Sequence, residues 1–538
     1  MKIVSSSNDE WNSAVAQVEP PPPTLQVSVG VIVTVAALIF VSTVIVGAPI
    51  ELSMFIAMLF MMLVLLLRGF SVPKIQDFAF TAMKSVLELI IILITVGMLI
   101  GTWAQSGTIP YIITLGLDSI HPSFFYPIAI LLCSVTSLAT GTSWGTMGSV
   151  GVALMAVGSG LGMPPAITAG AVVSGAYFGD KLSLLSDSTN LMAALTKTPI
   201  MEHIKYMMIT TGPAYICTLI VFGLIGWFQP HNNGSQDAVA DIIQGLEGSF
   251  TLNWTVFIPA VVLLAMLFFR LPPYMAIFGG VLSGGIIAVA VQGATINEVV
   301  TVMSSGFELT TGVEGIDSLV SGGGMLSMAG LAMLFLFAVG TSGLLQSGGF
   351  VDSLLEAFLR QANTQRKLMV LTSPLMIITV GLGAALSFAA VLLGTLLSPA
   401  YKKMGLQSKN LSRTMEDSGT TYDAFWPWGG GGVFAAGALG VATLDYMPFM
   451  FFAFFSTAFG IIVALTQFKV ATIPGQEDES KLTEESEDPS DGAYRETTAG
   501  TDADGQTPRK EQTPSKTIDE PDRSDVEVAA AGSSSKTY

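Results

Sequence analysis

Two stretches of this sequence place charged side chains among apolar neighbours. Ser174-Gly-Ala-Tyr-Phe-Gly-Asp-Lys-Leu-Ser-Leu-Leu-Ser-Asp-Ser-Thr-Asn190 carries Asp180, Lys181, Asp187 and Asn190. Leu411-Ser-Arg-Thr-Met-Glu-Asp-Ser-Gly-Thr-Thr-Tyr-Asp-Ala-Phe-Trp-Pro-Trp428 carries Glu416, Asp417 and Asp423, and runs into four glycines at 429–432. A charge at the centre of a bilayer costs at least about 2.5 kcal/mol on insertion scales, so intramembrane ionisable residues mark ion paths and proton relays. A carboxylate that binds either Na+ or H+, but not both, is the simplest device for exchanging them. Desolvation favours its protonated form and a nearby cation favours the charged one. Asp187 is the candidate for that role, with neutral oxygens available from Ser186, Ser188, Thr189 and Asn190. Lys181 is expected to pair with Asp180 or Asp187; a locked structural ion pair is the competing reading.

A third stretch, Thr140-Gly-Thr-Ser-Trp-Gly-Thr146, has no charge but many oxygens. Its glycines let the chain unwind at no steric cost. Freed carbonyls with the Thr142 and Ser143 hydroxyls then suit a hard cation such as Na+, so Ser143, Asp187 and Asn190 are the candidate Na+ ligands. A Ser/Thr patch for helix packing explains the same composition equally well. In the second half, Pro427 and the glycine run argue against an uninterrupted helix. A broken helix exposes carbonyl ends to cations and amide ends to anions.

These residues sit in a chain built to cross a membrane. Of 538 residues, 51% are hydrophobic and 12% charged, and the mean hydropathy is +0.63; soluble domains carry about 25% charged residues. Apolar runs such as Leu25–Ala48, Ile50–Leu67 and Met447–Leu465 recur from about residue 26 to 466. Each is long enough for a hydrocarbon core about 30 Å thick. Cys133 and Cys217 lie in apolar segments and read as packing residues. The histidines His121, His203 and His231 are scattered. With no histidine or cysteine constellation, no phosphate loop and no soluble catalytic domain, a membrane enzyme is the weakest reading. Nothing points to nucleic acid or to a cofactor; Na+ and H+ are the expected partners, with the lipid bilayer around them.

Residues 1–25 read as a polar tail with no apolar signal region. Residues 467–538 hold 17 Asp/Glu against 8 Lys/Arg and read as a disordered acidic tail. Between them lie fourteen Lys/Arg, whereas the loops at 105–124, 229–253 and 293–325 have none. Cytoplasmic loops collect Lys and Arg. The sides alternate only if two segments, about 124–160 and 367–400, enter and return on the same side as hairpins. Both termini then come out cytoplasmic, in a multi-pass protein of the cell's inner (plasma) membrane.

The halves resemble each other in order: Gln105-Ser106-Gly107 with Gln346-Ser347-Gly348, Ser143-Trp144 with Ser387-Phe388, and Ser174-Gly175 with Ser418-Gly419. Five crossings plus one hairpin per half is an odd count, which makes the repeats inverted. The expected fold is an all-α membrane protein of two inverted repeats, 26–228 and 254–466, joined by an extracytoplasmic loop at 229–253. Each repeat has about five transmembrane helices, a re-entrant hairpin and a broken helix, the plan of secondary transporters that bind cargo near the midplane. Offset 244 sets Gly431 opposite Asp187, so the chemistry of the halves is expected to be asymmetric.

Gly141-Thr-Ser-Trp-Gly-Thr146, the Gly-Ala-Tyr-Phe-Gly-Asp-Lys from Gly175, Ser186-Asp-Ser-Thr-Asn190 and Leu411-Ser-Arg-Thr-Met-Glu-Asp-Ser-Gly419 together resemble the NhaC family of sodium/proton antiporters. The resemblance covers about residues 26–466. It implies Na+/H+ antiport by alternating access, and implicates Thr142, Ser143, Asp180, Asp187, Asn190, Glu416, Asp417 and Ser418. Two departures stand out: Leu184 replaces a frequent proline, and the stretch from Thr421 to the glycines is richer in aromatics than the family's run. Family members also include malate/sodium-lactate antiporters. A Na+-coupled carrier of a small organic carboxylate or amino acid is therefore the alternative, and a homodimer is a possible assembly.

Overall fold

The computed structural model describes residues 20–229, 235–310, 317, 320–383 and 385–474, all within a compact unit spanning Met1–Ser480. The polar tail 1–19 and the acidic tail from 475 onward lie outside the described residues. So does most of the segment between 310 and 320.

The first half runs α1 (Leu25–Phe40), α2 (Ile50–Leu67), α3 (Val72–Lys84), α4 (Leu87–Gln105), α5 (Thr108–Ser119) and α6 (Phe125–Thr140). The short turns Ser143–Thr146 and Met147–Gly151 then lead into α7 (Val152–Gly160), followed by α8 (Pro165–Leu182), α9 (Asp187–Leu195) and α10 (Ile200–Phe228). The second half runs α11 (Ser235–Ser249), α12 (Ile258–Phe268), α13 (Pro273–Gln292), α14 (Ile296–Ser305), α15 (Ala329–Ser347) and α16 (Phe350–Leu359). It ends with α17 (Gln365–Gly383), α18 (Leu386–Lys403), α19 (Ser408–Ser418), α20 (Gly430–Leu439) and α21 (Phe451–Thr466). Among the described residues eight helices are long and apolar enough to cross a membrane, or ten if each of two bent pairs is one span. The protein is an all-α membrane protein.

Packing between the halves is reciprocal. α2 packs on α15 while α13 packs on α4; the short α3 lies on α15 while its counterpart α14 lies on α4; and α10 packs on α21. Large apolar side chains such as Leu67, Ile216, Phe269 and Ile286 stay exposed on the outside, the surface that lipid covers. Small residues set the closest crossing. A Cβ on Gly175 would lie 2.5 Å from the Ile130 carbonyl oxygen, and one on Gly179 2.3 Å from that of Ser134. Glycine at both positions lets α6 and α8 touch backbone to backbone.

Helices are interrupted within both segments expected as hairpins and in the stretch before α20, with differences in detail. α6 stops where Gly141 turns left-handed at φ +74°; Thr142, extended, then caps the next turn by accepting from Gly145 N at 3.1 Å. In the second hairpin the extended residue before the restart is Ala385. The structural offset is therefore 243 residues (142 to 385), which sets Leu386, not Ser387, opposite Ser143. Gly349 rather than Gly348 is the left-handed partner of Gly107, at φ +76° and +79°. The stretch expected as the loop 229–253 carries α11, and the chain bends by 95° between its end and α12. The expected tail begins later than position 467: residues 470–473 dock on the turn before α19, with Gln407 N donating to Ala471 O at 2.9 Å and Ile473 N to Gly405 O at 2.7 Å.

Candidate functional site

Four interruptions of helix converge on one cavity of about 370 Å³. They are the first hairpin tip (Gly141 to Trp144), the second hairpin tip (Ala385 to Ser387), the start of α9, and the irregular stretch between α19 and α20. Backbone can leave helical geometry at membrane depth where it lines a cavity, and that is the arrangement here. Of the residues singled out from sequence, Thr142, Ser143, Asp180, Asp187, Ser387 and Asp423 line the cavity.

The first hairpin tip touches both carboxylate poles. Ser143 Oγ donates to Asp180 Oδ2 at 2.9 Å. Its neighbour Trp144 donates from Nε1 to Asp423 Oδ2 at 3.3 Å, while the indole stacks on Phe434 with centroids 5.2 Å apart. Tyr177, one turn before Asp180 on α8, donates its hydroxyl to the same Asp423 oxygen at 3.0 Å. The glycine run lets this happen: a Cβ on Gly431 would fall 2.3 Å from Asp423 Oδ2 and 2.5 Å from Tyr177 Oη.

Asp187 opens α9 and is exposed on the cavity wall. The break before it forms without the family's proline, because Ser186 caps α9 by accepting from Thr189 N at 3.3 Å. Asn190 serves the same break: its amide donates to Leu184 O at 3.0 Å and Ser186 O at 2.7 Å, and it does not line the cavity. Thr189 is buried, with Oγ1 donating to Lys181 O at 3.2 Å.

Behind the cavity lies a second, fully buried cluster. The sequence expectation for Lys181 is corrected here. Its partner is neither Asp180 nor Asp187 but Asp417 from the other half, in direct contact, and Lys181 Nζ also donates to Ser456 Oγ at 2.8 Å. The reason is helical phase: Lys181 follows Asp180 by one residue, so the two side chains leave α8 about 100° apart and face different neighbours. Thr210 and Ser456 complete the shell of Asp417 Oδ1 at 3.0 and 3.1 Å. Arg413, one turn earlier on α19, places Nε 3.8 Å from Asp417 Oδ2. Glu416 links cluster and cavity, accepting from Ser188 Oγ at 3.4 Å and Thr189 Oγ1 at 3.5 Å. Ser418 is buried beside Thr457, 3.5 Å away. Glu416, Asp417 and Ser418 therefore sit behind the cavity rather than on its wall.

Sequence reasoning missed Tyr177, Thr210 and Ser456, and gave Trp144 no role of its own. Tyr177 was open to detection, since a residue three before Asp180 shares its helix face; Thr210 and Ser456 carry no such signal. Glu88, four residues after Lys84 in sequence, lines the cavity as well. Lys84 ends α3 and Glu88 lies in α4, so the i,i+4 spacing does not run along one helix.

The sequence model of the Na+/H+ antiporter family matches residues 175–468. The chain is 35% identical over 444 residues to a malate-2H(+)/Na(+)-lactate antiporter of Bacillus subtilis, covering 82% of this chain and 95% of the relative. It is 37% identical over 369 residues to the Na(+)/H(+) antiporter NhaC of Alkalihalophilus pseudofirmus, covering 68% and 79%. It is 31% identical over 404 residues to the arginine/ornithine antiporter ArcD of Halobacterium salinarum, covering 75% and 83%. With its helical architecture and these similarities, the chain belongs to the Na+/H+ antiporter family.

Proposed function

We propose that this chain exchanges Na+ for H+ across the membrane, with both ions competing for the carboxylates Asp180 and Asp187 on the cavity wall. The observation that carries the reading is the contact between Ser143 of the first hairpin tip and Asp180 of α8. It sets a hydroxyl, a carboxylate and the unwound backbone at Gly141 and Thr142 around one point of the cavity. Na+ prefers oxygen ligands, and a proton on the same carboxylate removes the charge that holds the ion. Thr142, Ser143, Asp180 and Asp187 are the residues assigned to Na+ on this reading. The Lys181–Asp417 pair is assigned to holding the two halves together.

The reciprocal packing of the halves, with the five crossings expected in each from sequence, supports an inverted repeat and alternating access by movement of one group of helices against the other. The distribution of Lys and Arg supports cytoplasmic termini in the cell's inner (plasma) membrane. The test is dissipation of a pH gradient in proteoliposomes on adding Na+, with no organic solute present. Proton movement is expected with the intact chain and lost in Asp187→Asn. Absence of Na+-driven proton movement in the intact chain would defeat the antiport reading.

A second reading, coupling of Na+ to a small organic solute, is favoured by one observation: the cavity, at about 370 Å³, is far larger than one Na+ requires.

A further inference from the structure

The cavity has two chemically different poles. At Asp180 the neighbours are oxygen-bearing: the Ser143 hydroxyl, 2.9 Å away, with Thr142 and Asp187 on the same wall. At Asp423 they are aromatic. Trp144 and Tyr177 both donate to Oδ2, and Phe335 lies on the wall beside Gly430. The indole N–H of Trp144 has no lone pair for Na+, which leaves the Tyr177 hydroxyl oxygen as the one neutral ligand these two donors could supply. What this pole offers is a carboxylate among aromatic side chains, and a carboxylate is the partner that charge-assisted hydrogen bonds from ammonium and guanidinium groups need.

One further observation points to a ligand there. Among the described residues, the lining includes Glu88, Asp180, Asp187 and Asp423 and no Lys, Arg or His. A carboxylate cargo would meet four acids and no fixed cation. The volume lies in the range of about 300–1,000 Å³ typical of small-molecule sites.

We propose that the Asp423 pole, with Trp144 and Tyr177, is a subsite for the positively charged nitrogen of a small organic cation, a primary ammonium or guanidinium compound. The proposal rests on the reading of this cavity as the cargo site and deepens it. The cation's N–H groups reach Asp423 from the cavity, its alkyl stem lies against the apolar wall at Phe335, and Na+ keeps the oxygen-rich pole. The glycine at 431 is part of the design, because any side chain there would occupy the space of the Asp423 and Tyr177 oxygens.

The test is calorimetric titration of the purified full chain in lipid nanodiscs with butylamine and agmatine, against butanol and butyrate as neutral and anionic counterparts. The cations are expected to bind and the counterparts not. Asp423→Asn is expected to weaken cation binding by about tenfold or more, a larger factor than its effect on Na+ affinity measured in the same preparation. Because a buried substitution can unfold the chain, Gly431→Ala serves as a second variant that retains every acid in the chain and displaces the Asp423 and Tyr177 oxygens. Both are accepted only if monodisperse, and both should lower cation affinity. Equal binding of butyrate and butylamine, no binding of either cation, or unchanged affinity in both variants would overturn the subsite. The Na+-driven proton assay separates this failure from failure of the antiport reading. Proton exchange without cation binding removes the subsite alone, and cation binding without proton exchange removes antiport alone.

Discussion

The indole of Trp144, on the first hairpin tip, donates to Asp423 of the opposite half at 3.3 Å. The adjacent Ser143 holds Asp180 on its own half. The single helical turn that restarts after Gly141 therefore touches a carboxylate of each half, so motion of this tip must change the environment of both together. Trp144→Phe keeps the stacking on Phe434 and removes the N–H donor. The loss of one such bond to a charged group is worth about 1.5–3 kcal/mol. Na+-driven proton exchange should fall by roughly tenfold or more at unchanged expression, measured in proteoliposomes with matched protein content. A rate equal to that of the parent chain would show that the contact is not part of the cycle.

The Lys181–Asp417 pair joins α8 to α19 with both side chains at 0% exposure. Removing one partner of such a pair strands a buried charge and costs about 3–5 kcal/mol, whereas apolar replacement of both can be close to neutral. Lys181→Met is expected to melt well below the parent in detergent, and Lys181→Met with Asp417→Leu to recover much of that loss. A double variant no more stable than the single one would place the pair's role elsewhere.

Competition for one carboxylate sets the sign of the pH dependence. Below the carboxylate's titration range protons occupy the site, so the Na+ concentration for half-maximal exchange should rise as pH falls, by up to about tenfold per unit for one proton. Above that range it should level off. A half-maximal concentration independent of pH over several units, read from initial rates, would argue for separate sites for the two ions.

Close crossing of α6 and α8 positions Asp180 against the hairpin tip. A methyl group at Gly179 would enter within 2.3 Å of the Ser134 carbonyl oxygen, and overpacking of this kind costs about 1–3 kcal/mol. Gly179→Ala should lower the melting temperature and reduce exchange together. Gly440→Ala, where nothing lies within 4 Å but φ is +68°, should cost stability only through its backbone strain and leave exchange closer to normal.

Much of this architecture was legible in the residues. Apolar runs report the hydrocarbon thickness directly, and Gly141, Pro427 and the glycines at 429–432 mark breaks because they act on local backbone geometry. The carboxylates Asp180, Asp187 and Asp423 stood out because charge inside an apolar run is costly wherever the helix ends up. Position along the chain does not reveal phase and partner. Lys181 adjoins Asp180 in sequence yet pairs with Asp417 on the other half. Asn190 belongs to a sodium-binding set by residue type yet spends its amide on two carbonyls of its own break. Glu88 sits four residues from Lys84 yet faces the cavity, because the helix restarts between them. The sequence by itself determined the membrane class and the places where helices fail, both of which follow from local composition. Which polar groups meet, and the division of one cavity into an oxygen-rich pole and an aromatic pole, depended on packing between residues more than 240 positions apart, such as Tyr177 and Asp423. Only the tertiary structure could decide those.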